Sequence, residues 1–401
     1  MTEPPPPHTR PRLTRNVFAL AAVSFFTDVS SEMIYPLLPV FLTTVLGANA
    51  SFIGAIEGAA ETTAALLKLA SGWWSDRVRR RKPLVVLGYG IATFMRPLVA
   101  AARSASQVLL IRVADRVGKG IRNAPRDALI AESVDPSIRG RAFGFQRAAD
   151  HAGGVLGPLI AFGLLSWGLA TMRTVFWLAA IPGVISFIVL VAFVRDIERP
   201  TNVPPSKGAA LDLTQPLGSR FWRVMFVIFL FTLGNSTDAF LLLRANQLGV
   251  PVALAPILWA ALHVVKSLSS TPGGALSDRI GRRPTLIAGW LLYAAVYFGF
   301  ARAGAPWQAW ALFGVYGVFF GLTEGTERAL IADLVIPVRR GTAFGWYNLA
   351  IGLGALPASL LFGYVWDRAG APKAFGMGAG FALAAALGML VAVPRTPGGS
   401  A

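Results

Sequence analysis

Asp28, Ser31, Glu32 and Tyr35 follow one another at intervals of three, one and three residues, so a helix shows all four on one face. Glu57, Glu61 and Lys68 share a face in the same way. So do Arg112, Asp115, Arg116, Lys119, Asn123 and Arg126, and then Arg147, Asp150, His151 and Gly154. Carboxylates among guanidinium groups suit proton uptake and release, because leaving water disfavours the ionised acid while a neighbouring cation favours it. Asp28 or Glu32 facing Arg112 or Arg116 is therefore expected to change charge as a cavity opens and closes. Within these apolar stretches seven acids (Asp28, Glu32, Glu57, Glu61, Asp115, Asp127, Asp150) accompany eight bases (Lys68, Arg96, Arg112, Arg116, Lys119, Arg122, Arg126, Arg147). That near balance predicts a paired network lining one polar cavity. Arg122, Arg126, Asp127 and Arg147, nearer helix ends, read as static ion pairs. Asp28, Glu32, Glu61, Asp115 and Arg116, nearer the middle, read as functional.

The second half of the chain is sparser in charge, with Asn235 and Asp238, then His263 and Lys266, then Glu324, Glu327 and Arg328. The expectation is that the first half moves protons and the second shapes more of a solute pocket, with Tyr35 adding an aromatic edge. Phe25, Phe26, Trp259, Tyr293, Tyr316, Trp346 and Tyr347 suit an amphipathic lining, though aromatics also belong at membrane interfaces. His151 and His263 raise a metal reading. With no cysteine and no His/Asp cluster in one segment, pairing of either His with a carboxylate is preferred, and no metal or other cofactor is expected.

The elements that carry these stripes must be membrane helices. The 401 residues are 54% hydrophobic and 14% charged, too little charge for a water-facing surface of this size. Apolar windows of about 20 residues, the length that crosses a bilayer, recur near 16–44, 52–74, 83–102, 106–130, 143–166, 174–194, 221–244, 253–275, 285–302, 308–332, 343–365 and 373–394. The predicted fold is all-α and polytopic. It comprises a tail over 1–15, a six-helix bundle over 16–194, a Pro-rich linker over 195–220, a second bundle over 221–394, and a tail over 395–401. No small-residue cleavage site follows the first apolar run, so 1–15 reads as a retained tail.

Lys and Arg collect in alternate loops, among them Arg77–Lys82, Arg139, Arg141, Arg279, Arg282, Arg283, Arg339 and Arg340. This bias predicts an inner-membrane protein with both termini cytoplasmic. It also explains the net charge of +17 without a nucleic-acid partner. The expected partners are a small solute, protons and lipid, around a monomer.

The two halves repeat. Gly72-Trp-Trp-Ser-Asp76-Arg77-Val-Arg-Arg80-Arg81-Lys82-Pro83 recurs as Gly274-Ala-Leu-Ser-Asp278-Arg279-Ile-Gly281-Arg282-Arg283-Pro284, 202 residues on. Ala128–Glu132 with Arg139–Gly144 recurs as Ala329–Asp333 with Arg340–Gly345, 201 residues on. An equal number of spans per half makes the repeat parallel, about an axis along the membrane normal. Gly72, Asp76, Arg77, Arg80, Asp278, Arg279 and Arg282 are the expected cytoplasmic gate.

The Gly-x-x-x-Asp-Arg-x-x-Arg-Arg-Lys loop resembles the signature loop of the major facilitator superfamily, and its second copy is similar to that family's second-half version. The resemblance runs over about residues 15–395. It implies twelve helices in two pseudo-symmetric bundles and transport by alternating access. Arg116-Val-Gly-Lys119-Gly120 resembles the fourth-helix Arg-x-x-Gln-Gly motif of proton-coupled members, with Lys119 in place of Gln. Arg122 stands where a small residue is usual, an extra charge that implies an anionic or acid-rich partner. Gly153, Gly157 and Pro158 resemble the Gly-x-x-x-Gly-Pro antiporter motif, although ordinary small-residue packing also explains them. Together these imply proton-coupled efflux of a drug-like or small organic compound. Proton-coupled uptake of a metabolite is the alternative, and metal-ion export is further behind. No nucleophile–base pair or His-Glu-x-x-His cluster supports an enzyme.

Overall fold

The computed structural model describes residues 11–38, 41–47, 50–197, 217–236, 238–251 and 254–392, and among these no strand occurs. The first half holds α1 (Arg15–Ile34), α2 (Ala50–Arg77), α3 (Lys82–Ala101), α4 (Ala105–Glu132), α5 (Arg139–Ser166) and α6 (Met172–Phe193). The second half holds α7 (Ser219–Gly234), α8 (Ala239–Gln247), α9 (Ala255–Ile280), α10 (Arg282–Arg302), α11 (Pro306–Leu334), α12 (Arg340–Ala369) and α13 (Ala371–Ala392). The seventh expected span is thus two helices, broken where Asn235 and Ser236 leave helical geometry. Most of the expected linker, 198–216, lies outside the described residues, as do most of the tails.

Local chemistry accounts for the helix ends. The Thr14 hydroxyl accepts from the Val17 amide and the Ser104 hydroxyl from the Gln107 amide, each occupying an amide that has no helical partner. Gly281 and Gly370 have φ of 98° and 85° in the single-residue turns α9–α10 and α12–α13, a region where a Cβ is strained. Seven helices among the described residues are long and apolar enough to cross a membrane by composition alone, including α1, α3, α6, α10 and α13. Helix α4 is not one of them, because it has Arg112, Asp115, Arg116, Lys119, Arg122, Arg126 and Asp127 along its length. Its cost is met inside the bundle, where polar groups find partners that lipid does not supply. Outward faces are apolar, as at Leu110, Phe162, Phe226 and Leu268, all largely exposed.

Two helices join the halves. Helix α5 packs on α1 within its own bundle and on α9 of the other, while α2 packs on α4 and on α12. Helix backbones touch where glycines remove the side chain. A Cβ on Gly274 would lie 2.0 Å from the Gly140 carbonyl oxygen, and one on Gly72 would lie 2.2 Å from that of Gly341. The interiors of the halves differ. In the second half Tyr293 and Tyr297 stack at 4.1 Å and Phe231 stacks on Trp290 at 4.9 Å, with Tyr316 and Phe319 beside them. These rings are buried and fill the space that is polar in the first half.

Candidate functional site

Helix α1 places its acidic face through contact with α5. A Cβ on Gly153 would meet the Phe25 carbonyl oxygen at 2.5 Å and the Asp28 Cβ at 3.0 Å. One on Gly157 would meet the Val29 oxygen at 2.7 Å and the Glu32 Cβ at 2.9 Å. The antiporter-like glycines are thus the seat of Asp28 and Glu32. Pro158 follows inside the same helix. Gly157→Val is expected to push α1 outward and cut solute-dependent proton movement at least tenfold while the protein still folds. Vesicle flux alongside a melting curve checks this, and unchanged flux would separate the motif from the acids.

The two acids face a cavity of about 250 Å³ lined, among the described residues, mainly from α1, α3, α4 and α5. Asp28, Ser31, Glu32, Tyr35, Arg112, Asp115, Arg116, Lys119, Asn123 and Asp150 line it. So do Ser24, Thr27, Tyr89, Arg96, Arg122, Arg126 and Arg147, and all of these residues are polar or charged. Asp115 holds the network together. Its carboxylate accepts from Arg96 Nε at 2.8 Å and lies 3.8 Å from Arg112, and it is 2% exposed. Arg96 also donates to the Thr27 carbonyl of α1 at 2.8 Å. Asp150 pairs with Arg147 at 2.8 Å and accepts from Gln146, whose amide also reaches Ser24. Arg126 pairs with Asp127 at 2.8 Å, and Asp127 lies 3.5 Å from Arg328 of the other half.

Arg122, Arg126 and Arg147 were expected to be static pairs near helix ends; Arg126 does pair with Asp127 and Arg147 with Asp150, and all three also line the cavity. Their helices run past the chamber, so distance from a helix end says little about distance from its wall. Arg96, one of the eight bases expected in the network, is the residue that fixes Asp115. Its signal was a lone arginine inside an otherwise apolar helix. The side chains of Glu57 and Glu61, on α2, lie outside the described ones.

The expected second-half pocket residues do not join this lining. Lys266 sits 3.8 Å from Asp238, whose carboxylate accepts from Tyr316 at 2.7 Å. Tyr293 reaches Asn235 at 3.4 Å, and Tyr347 donates to Glu327 at 2.7 Å. His151 does not line the cavity either. It meets Glu324 across the halves at 3.1 Å, with the His263 ring 5.7 Å away. That matches the carboxylate pairing preferred for a His. Among the described residues no three or more His, Cys, Asp or Glu form a metal-holding group. Of the aromatics expected in a solute lining, Tyr35 alone stands among these wall residues. Tyr293, Tyr316 and Tyr347 are buried in the second-half core.

At one end the halves are held by two matching latches. The Asp76 carboxylate accepts from the Gly341 amide at 2.8 Å and the Thr342 amide at 2.6 Å, at the start of α12. The Asp278 carboxylate accepts from the Gly140 amide at 2.9 Å and the Arg141 amide at 2.7 Å, at the start of α5. Each acid therefore occupies the anion-binding N-terminus of a helix from the opposite bundle. Arg81 bonds Asp76 at 2.7 Å and Glu132 at 2.9 Å, while Arg282 bonds Asp278 and lies 3.1 Å from Asp333. Arg139 completes the second latch by pairing with Asp333.

The latch also draws in a cation outside the expected gate set. Of the expected first-loop cations, Arg77 stacks on Trp73 at 3.7 Å and Arg80 is exposed, and the buried cation bonded to Asp76 is Arg81. Arg279 is exposed likewise, while Arg282 holds its place. The repeat offset drops from 202 at Asp76 and Asp278 to 201 at the second echo, which marks one extra residue in the first loop. That residue moves the counterpart of Arg282 from Arg80 to Arg81.

A family model described as Major Facilitator Superfamily matches residues 20–265 and 224–401. The chain belongs to the Major Facilitator Superfamily. An uncharacterized transporter of this type from Methanocaldococcus jannaschii is 35% identical, over 88% of this chain and 89% of its own. Multidrug resistance protein MdtG of Citrobacter koseri is 27% identical over 80% of each chain. The crystal structure of the human organic anion transporter MFSD10 superposes with a TM-score of 0.80 at 16% identity, covering 95% of this chain and all of that one. This last likeness concerns the fold. The superfamily chain is thus a multi-pass membrane transporter and not an enzyme.

Proposed function

We propose that this transporter exports a small organic solute across the inner membrane in exchange for protons, by alternating access, with both termini cytoplasmic. The observation that carries the reading is the placement of Asp28 and Glu32. They stand in a polar chamber among arginines, on a helix seated on the antiporter-like glycines. A proton on either acid and a solute in the same space compete for the same cations, which is the physical basis of exchange. The latches at Asp76 and Asp278 close one end of the gap between halves, and their release opens it. Relatives named as multidrug resistance proteins support export. The polar and charged side chains among the described lining residues support a small polar solute over the amphipathic, drug-like one that the aromatics suggested.

Everted vesicles with an acidified lumen and a pH-gradient dye test this. Addition of a transported solute is expected to restore dye fluorescence as protons leave, and a symporter gives no such recovery. Asp28→Asn and Glu32→Gln are expected to lower the recovery at least tenfold, leaving gradient-free solute exchange in place. Intact proton-driven recovery in both variants would remove these acids from the coupling role.

A further inference from the structure

The seam where α5 of one half meets α9 of the other is built from small residues near the latch. A Cβ on Gly144 would lie 2.2 Å from the Ser270 carbonyl oxygen, and the Ser267 hydroxyl donates to the Ala148 carbonyl at 2.8 Å. Helix α11 reaches the same stretch, where a Cβ on Gly325 would lie 2.8 Å from the Gly144 amide nitrogen. About one turn of α5 further on, ring side chains take over. His151 Nε2 meets the Glu324 carboxylate of α11 at 3.1 Å, and the His263 ring of α9 stands edge-on at 5.7 Å. A Cβ on Gly154 would lie 3.2 Å from His263 Cδ2, so this glycine gives the ring its room.

The repeat did not supply this pair. Counting 201 residues on from His151 gives Gly352, and 201 back from Glu324 gives Asn123, which lines the chamber. Close backbone contact is common to the α5–α9 and α2–α12 seams, whereas this titratable bond is not a product of the duplication.

Among the described residues, Arg147 and Asp150 of α5, Glu327 and Arg328 of α11, His263 and Lys266 of α9, Asp127 of α4 and Tyr347 of α12 stand near the pair. Asp28 of α1 meets the opposite face of α5, at Gly153. The neighbours pair elsewhere: Arg147 with Asp150 at 2.8 Å, Arg328 with Asp127 at 3.5 Å, Lys266 with Asp238 at 3.8 Å and Tyr347 with Glu327 at 2.7 Å. His151 is thus the ion partner that Glu324 finds across the halves.

An ionised Glu324 only accepts, so His151 carries hydrogen on Nε2, and a further proton adds to its Nδ1 lone pair. The product is an imidazolium beside a carboxylate, and a charge-assisted hydrogen bond holds harder than one from a neutral donor. The bond joins α5 to α11, so it breaks when the halves part. On the alternating-access reading above, we infer that His151 and Glu324 form a proton-operated clasp, in which a proton taken up at His151 strengthens the closed seam and holds the halves latched. The sign is distinctive. Asp76 and Asp278 latch as carboxylates that accept amide hydrogens, so acid weakens the latches while it tightens the clasp.

The chain has three histidines, so isotope-labelled imidazole spectra of the full-length protein resolve His151 once His151→Gln identifies its signal. Between about pH 5.5 and 8 that signal is expected to titrate, and Glu324→Gln to change its chemical shift. Spin labels at Arg79→Cys and Ile336→Cys, both exposed at the latch end, then read the latched fraction in the parent and in Asp76→Ala. Acidification over that range is expected to raise the ratio of latched to unlatched protein roughly fivefold to tenfold. His151→Gln keeps an N–H donor towards Glu324 and takes up no proton, so its rise should stay below about twofold. Glu324→Gln, which keeps an acceptor and loses the charge, should flatten the response likewise and decides if His151→Gln fails to fold. An unchanged response in these variants overturns the clasp, and so does a response lost in His263→Gln alone. Longer distances in Asp76→Ala with no pH response keep alternating access and remove the clasp. Distances fixed in every variant remove both.

Discussion

Asp76→Ala is expected to unlatch the halves. The substitution leaves the Gly341 and Thr342 amides without their acceptor and takes the main counter-charge from Arg81, which is 2% exposed. Breaking a buried pair from one side costs about 3–5 kcal/mol, and helix α12 also loses the anion at its N-terminus. That penalty falls on the latched arrangement alone, because separated halves give water access to all of these groups. The ratio of latched to unlatched protein therefore drops roughly a hundredfold to a thousandfold at about 1.4 kcal/mol per factor of ten. The chain has no cysteine, so spin labels can be placed directly. Arg79→Cys and Ile336→Cys, both exposed near this end, report the gap. Pulsed electron-spin distances between them should lengthen in Asp76→Ala. Identical distance distributions would show that Asp76 is not a latch. Asp278→Ala should act in the same direction on the α5 side, because the two sites are built alike.

Asp115→Asn has the second large expected effect, and it falls on stability. Asp115 is the buried anion between Arg96 and Arg112, and asparagine keeps its shape while removing its charge. Arg96 and Arg112 then lose the carboxylate they share inside the wall. A loss of about 3–5 kcal/mol is expected, seen as a lower melting temperature and poor yield. Arg96→Gln combined with Asp115→Asn should recover part of that loss, since the pair is removed together. A double variant as unstable as the sum of the single ones would show that the two side chains are not coupled. Asp28→Asn should behave differently, being mild on stability and severe on proton movement. Arg96 and Arg147 of the same wall are already paired with Asp115 and Asp150.

Much of the architecture was legible because lipid imposes simple rules. A bilayer demands long apolar helices, and their count and the repeat between Gly72–Pro83 and Gly274–Pro284 imply two similar bundles. The acid stripe on α1 and the small residues on α5 could each be read from helical period. What period cannot supply is the neighbour. Asp28 and Glu32 rest on Gly153 and Gly157 because two backbones come within contact distance, and no one-dimensional spacing encodes that. The second half shows the same limit from the other side. Asp238, Lys266 and Glu327 read as pocket residues, and the structure sets tyrosines against two of them and pairs the third with Asp238.

The residue list by itself determined that this chain is a duplicated helical membrane transporter with titratable faces and charged loops, because composition and period act one helix at a time. The tertiary structure alone decided that Arg81 bonds Asp76 in the latch, and that Arg96, Arg122 and Arg147 face one chamber. It alone set Asp115 between Arg96 and Arg112, and Asp150 against Arg147. Charge balance and ion pairing depend on distances between helices, and those are set only when the bundles pack.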